Sequence, residues 1–175
     1  TAVDQGATVL NYMAVSGLLR SADFIRGVQA KDQESGREYE IKARAVINAT
    51  GVFADRIRRM DDPEAAPMIA PSQGVHIVLP RRFLGGESAI MVPHTDDGRV
   101  LFAVPWHDRV LIGTTDTPVH EASVEPGALE EEIDFLLEHA ARYLTRDPGP
   151  EDVLSVFAGL RPLVGGGGDE DTASL

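Results

Sequence analysis

The sequence predicts an α+β fold, with a mixed or antiparallel sheet under one covering helix beside a smaller, partial α/β portion. Three observations predict it. Short apolar stretches separated by turn residues run from residue 74 to 116, a single amphipathic segment occupies 128–144, and an earlier strand leads into a short helix across NATG at 48–51. The 175 residues carry 16 Lys+Arg against 28 Asp+Glu, a formal charge of -12. A chain of this length can bury roughly 70% of its unfolded surface. Its acidity and scattered cations oppose a nucleic-acid scaffold, which needs clustered positive charge. Cys is absent, so thiolate nucleophiles, disulfides and sulfur-ligated metals are excluded. No apolar run approaches the roughly 20 residues that span a bilayer. TAVDQGATVLNY at the start lacks a secretory signal's positive and apolar regions, which makes a cytosolic or membrane-peripheral protein the expectation.

In chain order, the pattern predicts extended segments at 8–16, 24–32 and within 37–50, with Asp32 to Gly36 as a turn. EYEIKA alternates as a half-exposed strand does, whereas AVINAT has the apolar, β-branched character of a buried one. A short helix is expected over 52–60 with Val52, Ile57 and Met60 inward, and DDPEAAP at 61–67 marks a boundary. Strands follow at 74–80, 88–94, 99–106 and 109–116, with DDG at 96–98 and His107–Asp108 as reversals and Pro105 ending a strand. Over 128–144 the residues Leu129, Ile133, Leu136, Leu137, Ala140 and Leu144 form one stripe, and acidic residues fill the first turn where the helix dipole favours them. Residues 152–162 return to an extended pattern, and GGGGDEDTASL is too polar and Gly-rich for a core element. The divisions expected are 1–67, 68–164 and a flexible acidic tail at 165–175.

Four segments carry candidate chemistry. NATG sits at a strand end, where small residues let a ligand approach, although Asn48 can equally fix an ordinary turn with its own side chain. His76 follows flexible Gly74 into a strand. Facing a cleft, its neutral imidazole would accept a proton; the alternative is a hydrogen-bonded structural histidine. Arg161 interrupts the apolar GLRPLV stretch, which suits recognition of carboxylate or phosphate through paired donors, or else a buried pair with an acidic residue. GTTDTP at 113–118 offers hydroxyls and Asp116 at a sharp strand exit, with the same letters serving a side-chain-stabilised turn. Trp106 covers a cleft or packs between sheets. The five histidines show no metal-ligand spacing, Asp96 and Asp97 read as a solvated turn, and neither GxSxG nor GxGxxG occurs.

Taken in order, GATVLNY, NATG, PSQGVHIVLP, DGRVLFAVPW, GTTDTP and FAGLRPLV resemble the FAD-dependent, quinone-linked glycerol-3-phosphate dehydrogenases of the D-amino-acid-oxidase-like flavoproteins. The resemblance covers residues 6–164. It implies oxidation of sn-glycerol 3-phosphate at C2 to dihydroxyacetone phosphate, hydride transfer to FAD, and electrons passed to membrane quinone. It places Ala49, Thr50 and Gly51 beside the FAD dinucleotide, His76 in the substrate pocket as a candidate base, and Arg161 near substrate and flavin. Thr115, with Thr114 and Asp116, matches a substrate-domain segment and is carried as a substrate contact, with a structural role ranked first. On this resemblance 1–67 is the central part of an FAD-binding domain and 68–164 a substrate-binding sheet and helix.

The resembled family also has a glycine-rich pyrophosphate loop and a helical domain that have no counterpart in these motifs. Pyrophosphate needs such a loop for positioning. The expectation is therefore a central fragment of a larger enzyme, inactive alone and without tightly held FAD, whose parent is cytoplasmic and peripherally associated with the cytoplasmic membrane. The fragment itself, acidic and without a polybasic patch, is expected to contact neither membrane nor nucleic acid. Alternatives are an FAD enzyme for another small hydroxy or amino acid, and a non-catalytic binding module.

Overall fold

In the computed structural model, which describes residues 1–96 and 98–165, the chain divides into two units, Thr1–Ala66 and the residues from Pro67 onward. Asp97 of the expected reversal, and all of the expected tail beyond Gly165, lie outside the described residues.

The first unit holds a three-stranded antiparallel meander, β1 (Met13–Ser21), β2 (Phe24–Asp32) and β3 (Glu38–Lys42), in the order β1-β2-β3. Two residues, Ala22 and Asp23, turn β1 into β2, with Ala22 at φ 51°. The Asp32 to Gly36 turn forms as expected: the Asp32 carboxylate accepts the Glu34 N–H at 2.9 Å and the Ser35 hydroxyl, and Gly36 sits at φ 72°. The first strand starts later than expected, since Thr8–Leu10 lie outside the sheet. AVINAT is likewise not a strand. It has no ladder partner among the described residues, and Ile47 is 86% exposed, so its β propensity finds no sheet to join. Helix α1 spans Ala54–Asp61 after a single 3-10 turn at Gly51–Phe53. Val52, Ile57 and Met60 are half-buried, and the most buried residue of α1 is Asp55, which accepts from Arg58 at 2.6 Å.

The second unit is organised around one long strand, β4 (Ile69–Pro80). One edge of β4 pairs along most of its length with β9 (Ser155–Val164). The other edge is shared: β7 (Arg109–Gly113) takes residues 76–80, and the short β8 (Thr117–Pro118) takes Ser72 and Gln73. Beyond β7 lie β6 (Leu101–Trp106) and β5 (Ile90–Val92), and every pairing is antiparallel. Because β5 pairs only with Leu101–Ala103, Pro105 sits on an edge segment where its missing N–H costs no second ladder bond. Pro105 therefore does not end β6, which continues to Trp106 opposite Arg109.

Alternation along β4 separates two chemistries. Val75, Ile77 and Leu79 point to one face and are fully buried beneath α2 (Glu130–Ala141), in a core with Val110, Ile112, Leu101, Leu136 and Ala140. Ser72, Gly74 and His76 take the opposite face. The helix is shorter than its expected 128–144 span. Leu136, Leu137 and Ala140 of the stripe are buried and Ile133 and Leu144 pack at its margin, but Leu129 is 49% exposed because it is the residue that caps the helix start. Trp106 does not pack between sheets: it is 59% exposed, its ring meeting His107 edge-on.

Candidate functional site

His76 and Arg161 share the face of the second sheet turned away from α2. His76 on β4 is flanked in register by Gly113 of β7 and Phe157 of β9. Its ring stacks on Phe157 with centroids 5.0 Å apart and planes 2° from parallel. Toward β7 the imidazole covers Gly113 so closely that a Cβ there would lie 2.1 Å from His76 Cδ2. Burial, and then the Arg161 charge, push the His76 pKa below the ordinary histidine value. The ring is thus held neutral and able to accept a proton at neutral pH.

Arg161 begins on β9 opposite Ser72 and crosses over β4. Gly74 makes the crossing possible: a Cβ at that position would lie 2.3 Å from Arg161 Nη2. On the far side the guanidinium meets the segment linking β7 to β8. Nη2 donates to Thr114 Oγ1 at 2.9 Å and to the Thr115 carbonyl at 3.1 Å, and Nη1 donates to Asp116 Oδ1 at 3.3 Å. The acidic partner foreseen for Arg161 is therefore Asp116. Arg161 is about one-third exposed, so it retains access to solvent while held by the fold.

Thr115 belongs to the other face. It is fully buried, its Oγ1 accepting from the Val75 N–H at 2.9 Å and donating to Glu132 Oε1 at 2.9 Å. The hydroxyl thus spends its one donor hydrogen and one of its lone pairs inside the core. These contacts support the structural role ranked first for Thr115, and its carbonyl accepts from Arg161.

Glu132 is the residue that the linear pattern hid. It reads as one more acid of a helical first turn, yet it is buried and gathers four donors: Thr115 and Thr117 hydroxyls, Gln73 Nε2 and the Leu129 N–H. Burial raises its pKa, but the hydrogen bonds from Leu129, Thr117, Gln73 and Thr115 outweigh that and hold it below the usual carboxylate value. Its position three residues after the helix cap is the available sequence signal. Ser72 and Phe157 gave none, since their importance comes from strand register.

Ala49, Thr50 and Gly51 lie in the first unit. Asn48 shapes that turn, donating from Nδ2 to the Ala54 carbonyl at 2.9 Å while its Oδ1 accepts the Thr50 hydroxyl at 2.8 Å. The turn-fixing reading of Asn48 therefore holds. All three residues are exposed, and Gly51 adopts φ 57° with no atom within 4 Å of a Cβ position. This leaves small residues and open space at the entry to α1, as close approach of a ligand requires.

The family described as FAD dependent oxidoreductase (DAO) matches residues 1–172. The mitochondrial glycerol-3-phosphate dehydrogenase of Schizosaccharomyces pombe is 46% identical over 174 residues, covering 94% of this chain and 27% of that protein. The human mitochondrial glycerol-3-phosphate dehydrogenase is 40% identical over 183 residues, covering all of this chain and 25% of that protein. The chain thus spans about a quarter of the length of these curated relatives. Among solved structures, the glycerol-3-phosphate dehydrogenase of Bacillus halodurans complexed with FAD superposes with a TM-score of 0.85 at 34% identity, over 94% of this chain and 33% of that one. The L-proline dehydrogenase of P. horikoshii, at 19% identity and a TM-score of 0.59, shares the fold. With a family match that runs from the first residue to beyond the last described strand, the chain belongs to the FAD-dependent oxidoreductases.

Proposed function

We propose that this chain is the central portion of an enzyme that oxidises sn-glycerol 3-phosphate at C2 to dihydroxyacetone phosphate, using FAD and passing electrons to membrane quinone. The observation that carries the reading is the placement of Arg161, a permanent cation, and His76, a neutral base, on one sheet face, both partly exposed. A phosphorylated secondary alcohol asks for both: a fixed positive charge for its anionic oxygens and an acceptor for its hydroxyl proton. Bound FAD would supply the acceptor for the C2 hydride. The exposed turn at Ala49, Thr50 and Gly51 fits one wall of a dinucleotide site and would lie beside that cofactor. His76 takes the hydroxyl proton while Arg161 holds the phosphate or the developing alkoxide. The likeness to named glycerol-3-phosphate dehydrogenases supports this substrate over other small hydroxy or amino acids.

No helix among the described residues is long and apolar enough to cross a membrane. We propose a cytoplasmic parent, and use of a lipid-soluble quinone would account for its peripheral association with the cytoplasmic membrane. The test uses the full-length protein. Glycerol 3-phosphate added anaerobically bleaches the flavin absorbance, whereas lactate, proline and glycerol do not; bleaching by one of those alone overturns the substrate assignment.

The protonation state of His76 gives a pH prediction. Its imidazolium is disfavoured first by burial and then by Arg161, so the acid limb of kcat/KM falls below the ordinary histidine value. Arg161→Gln removes the second cause only. The limb moves upward toward that value without reaching it, at a greatly reduced rate. A limb that stays in place counts against His76 as the base.

A further inference from the structure

We infer that Asp116 is a positioning residue for Arg161, fixing the direction in which its guanidinium meets the phosphorylated substrate; the inference rests on the function proposed above. Asp116 Oδ1 accepts from Arg161 Nη1 and from the hydroxyl of Ser72, a fully buried residue of β4 opposite Arg161. One carboxylate oxygen thereby ties together β4, β9 and the link between β7 and β8. Arg161 Nη2 places its two hydrogens on Thr114 Oγ1 and the Thr115 carbonyl. Three of the five guanidinium N–H groups are thus committed to the fold, and two remain outside these contacts for a ligand.

Charge shows why orientation is the function. A carboxylate beside a phosphate-binding arginine repels the phosphate and lowers affinity, so Asp116 contributes nothing to the attraction of an anion. What it supplies is a fixed angle for a long, otherwise rotatable side chain that must cross β4 over Gly74. Preorganisation of this kind acts on the transition state more than on substrate binding. Asp116→Ala should therefore lower kcat while leaving KM unchanged or slightly lower.

The experiment uses the full-length holoenzyme. Asp116→Ala is expected to reduce kcat about 30-fold or more, with KM for glycerol 3-phosphate within about threefold of the parent, inhibition by inorganic phosphate no weaker, and flavin content unchanged. Asp116→Asn keeps an acceptor oxygen for Arg161 and Ser72 and recovers most of kcat. Should Asp116→Ala fail to fold, Ser72→Ala removes one tether and lowers kcat about three- to tenfold with the same constancy of KM. An unchanged kcat in whichever of Asp116→Ala and Ser72→Ala folds, an Asn variant no better than Ala, or a rise in KM at constant kcat overturns the inference alone. A parent enzyme that does not oxidise glycerol 3-phosphate overturns both this inference and the function it rests on.

Discussion

Replacing Glu132 with alanine lowers the stability of the second unit by roughly 3–4 kcal/mol, since each buried donor left without its partner costs about 1–3 kcal/mol. The size follows from what remains behind. Both oxygens of Glu132 are used twice: Oε1 by Thr115 and Thr117 at 2.9 and 2.7 Å, Oε2 by Gln73 and the Leu129 N–H at 2.7 and 3.0 Å. Deleting the carboxylate strands these donors, and Gln73 and Thr115 have no route to water. Glu132→Gln keeps the shape but turns one acceptor into a donor facing donors, so it falls between the two. Hydrogen exchange reads the effect locally, with protection of α2 and β4 amides reduced roughly a hundred- to a thousandfold if they exchange through opening of this unit. The pH dependence has a definite sign. Since the folded pKa is depressed, the stabilisation is present above the unfolded carboxylate value and is lost as pH falls through the lower folded value. Glu132→Gln has no such loss in that acid window. Protection in Glu132→Ala equal to that of the parent would remove Glu132 from the framework of the site.

Much of the second unit is legible in the sequence because its alternation is strict. GVHIVLP announces β4, with Val75, Ile77 and Leu79 on one face and Gly74 and His76 on the other, and EEEIDFLLEHAA announces the helix that covers the apolar side. Arg161 stands out as a charge in an apolar run. What cannot be read is which residues on distant strands become neighbours. Nothing in the letters sets Ser72 opposite Arg161, or Phe157 and Gly113 on either side of His76; antiparallel register does. Thr115 and Asp116 show the same limit in another form. They are adjacent in a segment recognisable as chemical, yet one hydroxyl turns into the core and the neighbouring carboxylate turns to Arg161. AVINAT failed as a strand because propensity describes a side chain's fit to a sheet surface, and no described strand lies beside it.

Gly113→Ala is expected to lower kcat of the full-length enzyme by a hundredfold or more, the cost of misplacing a reacting group by about 1 Å. A methyl at Gly113 would stand 2.1 Å from His76 Cδ2 and 2.5 Å from Nε2, so the imidazole must leave its place. It has little room, because Phe157 on β9 lies parallel to it. The ring either tilts out of the stack or abandons its rotamer, and each movement carries the proton-accepting nitrogen away from the substrate hydroxyl. Gly74→Ala acts on the other half of the site. Its methyl would lie 2.3 Å from Arg161 Nη2, at the far end of a flexible side chain that can swing aside without disturbing the sheet. Because the methyl drives the guanidinium off this face rather than merely freeing its angle, the charge-assisted contact to phosphate is lost outright, so KM rises and kcat falls with it, whereas loss of Asp116 acts on kcat alone. Gly127→Ala is the control: it adds the same methyl group in the loop before α2, away from this face, where nothing lies within 4 Å. Steady-state kinetics of the three variants separates crowding of the site from glycine replacement in general. If Gly127→Ala impairs turnover as much as Gly113→Ala, glycine replacement in general rather than displacement of His76 accounts for the loss, and the imidazole is not the group whose position the glycine protects.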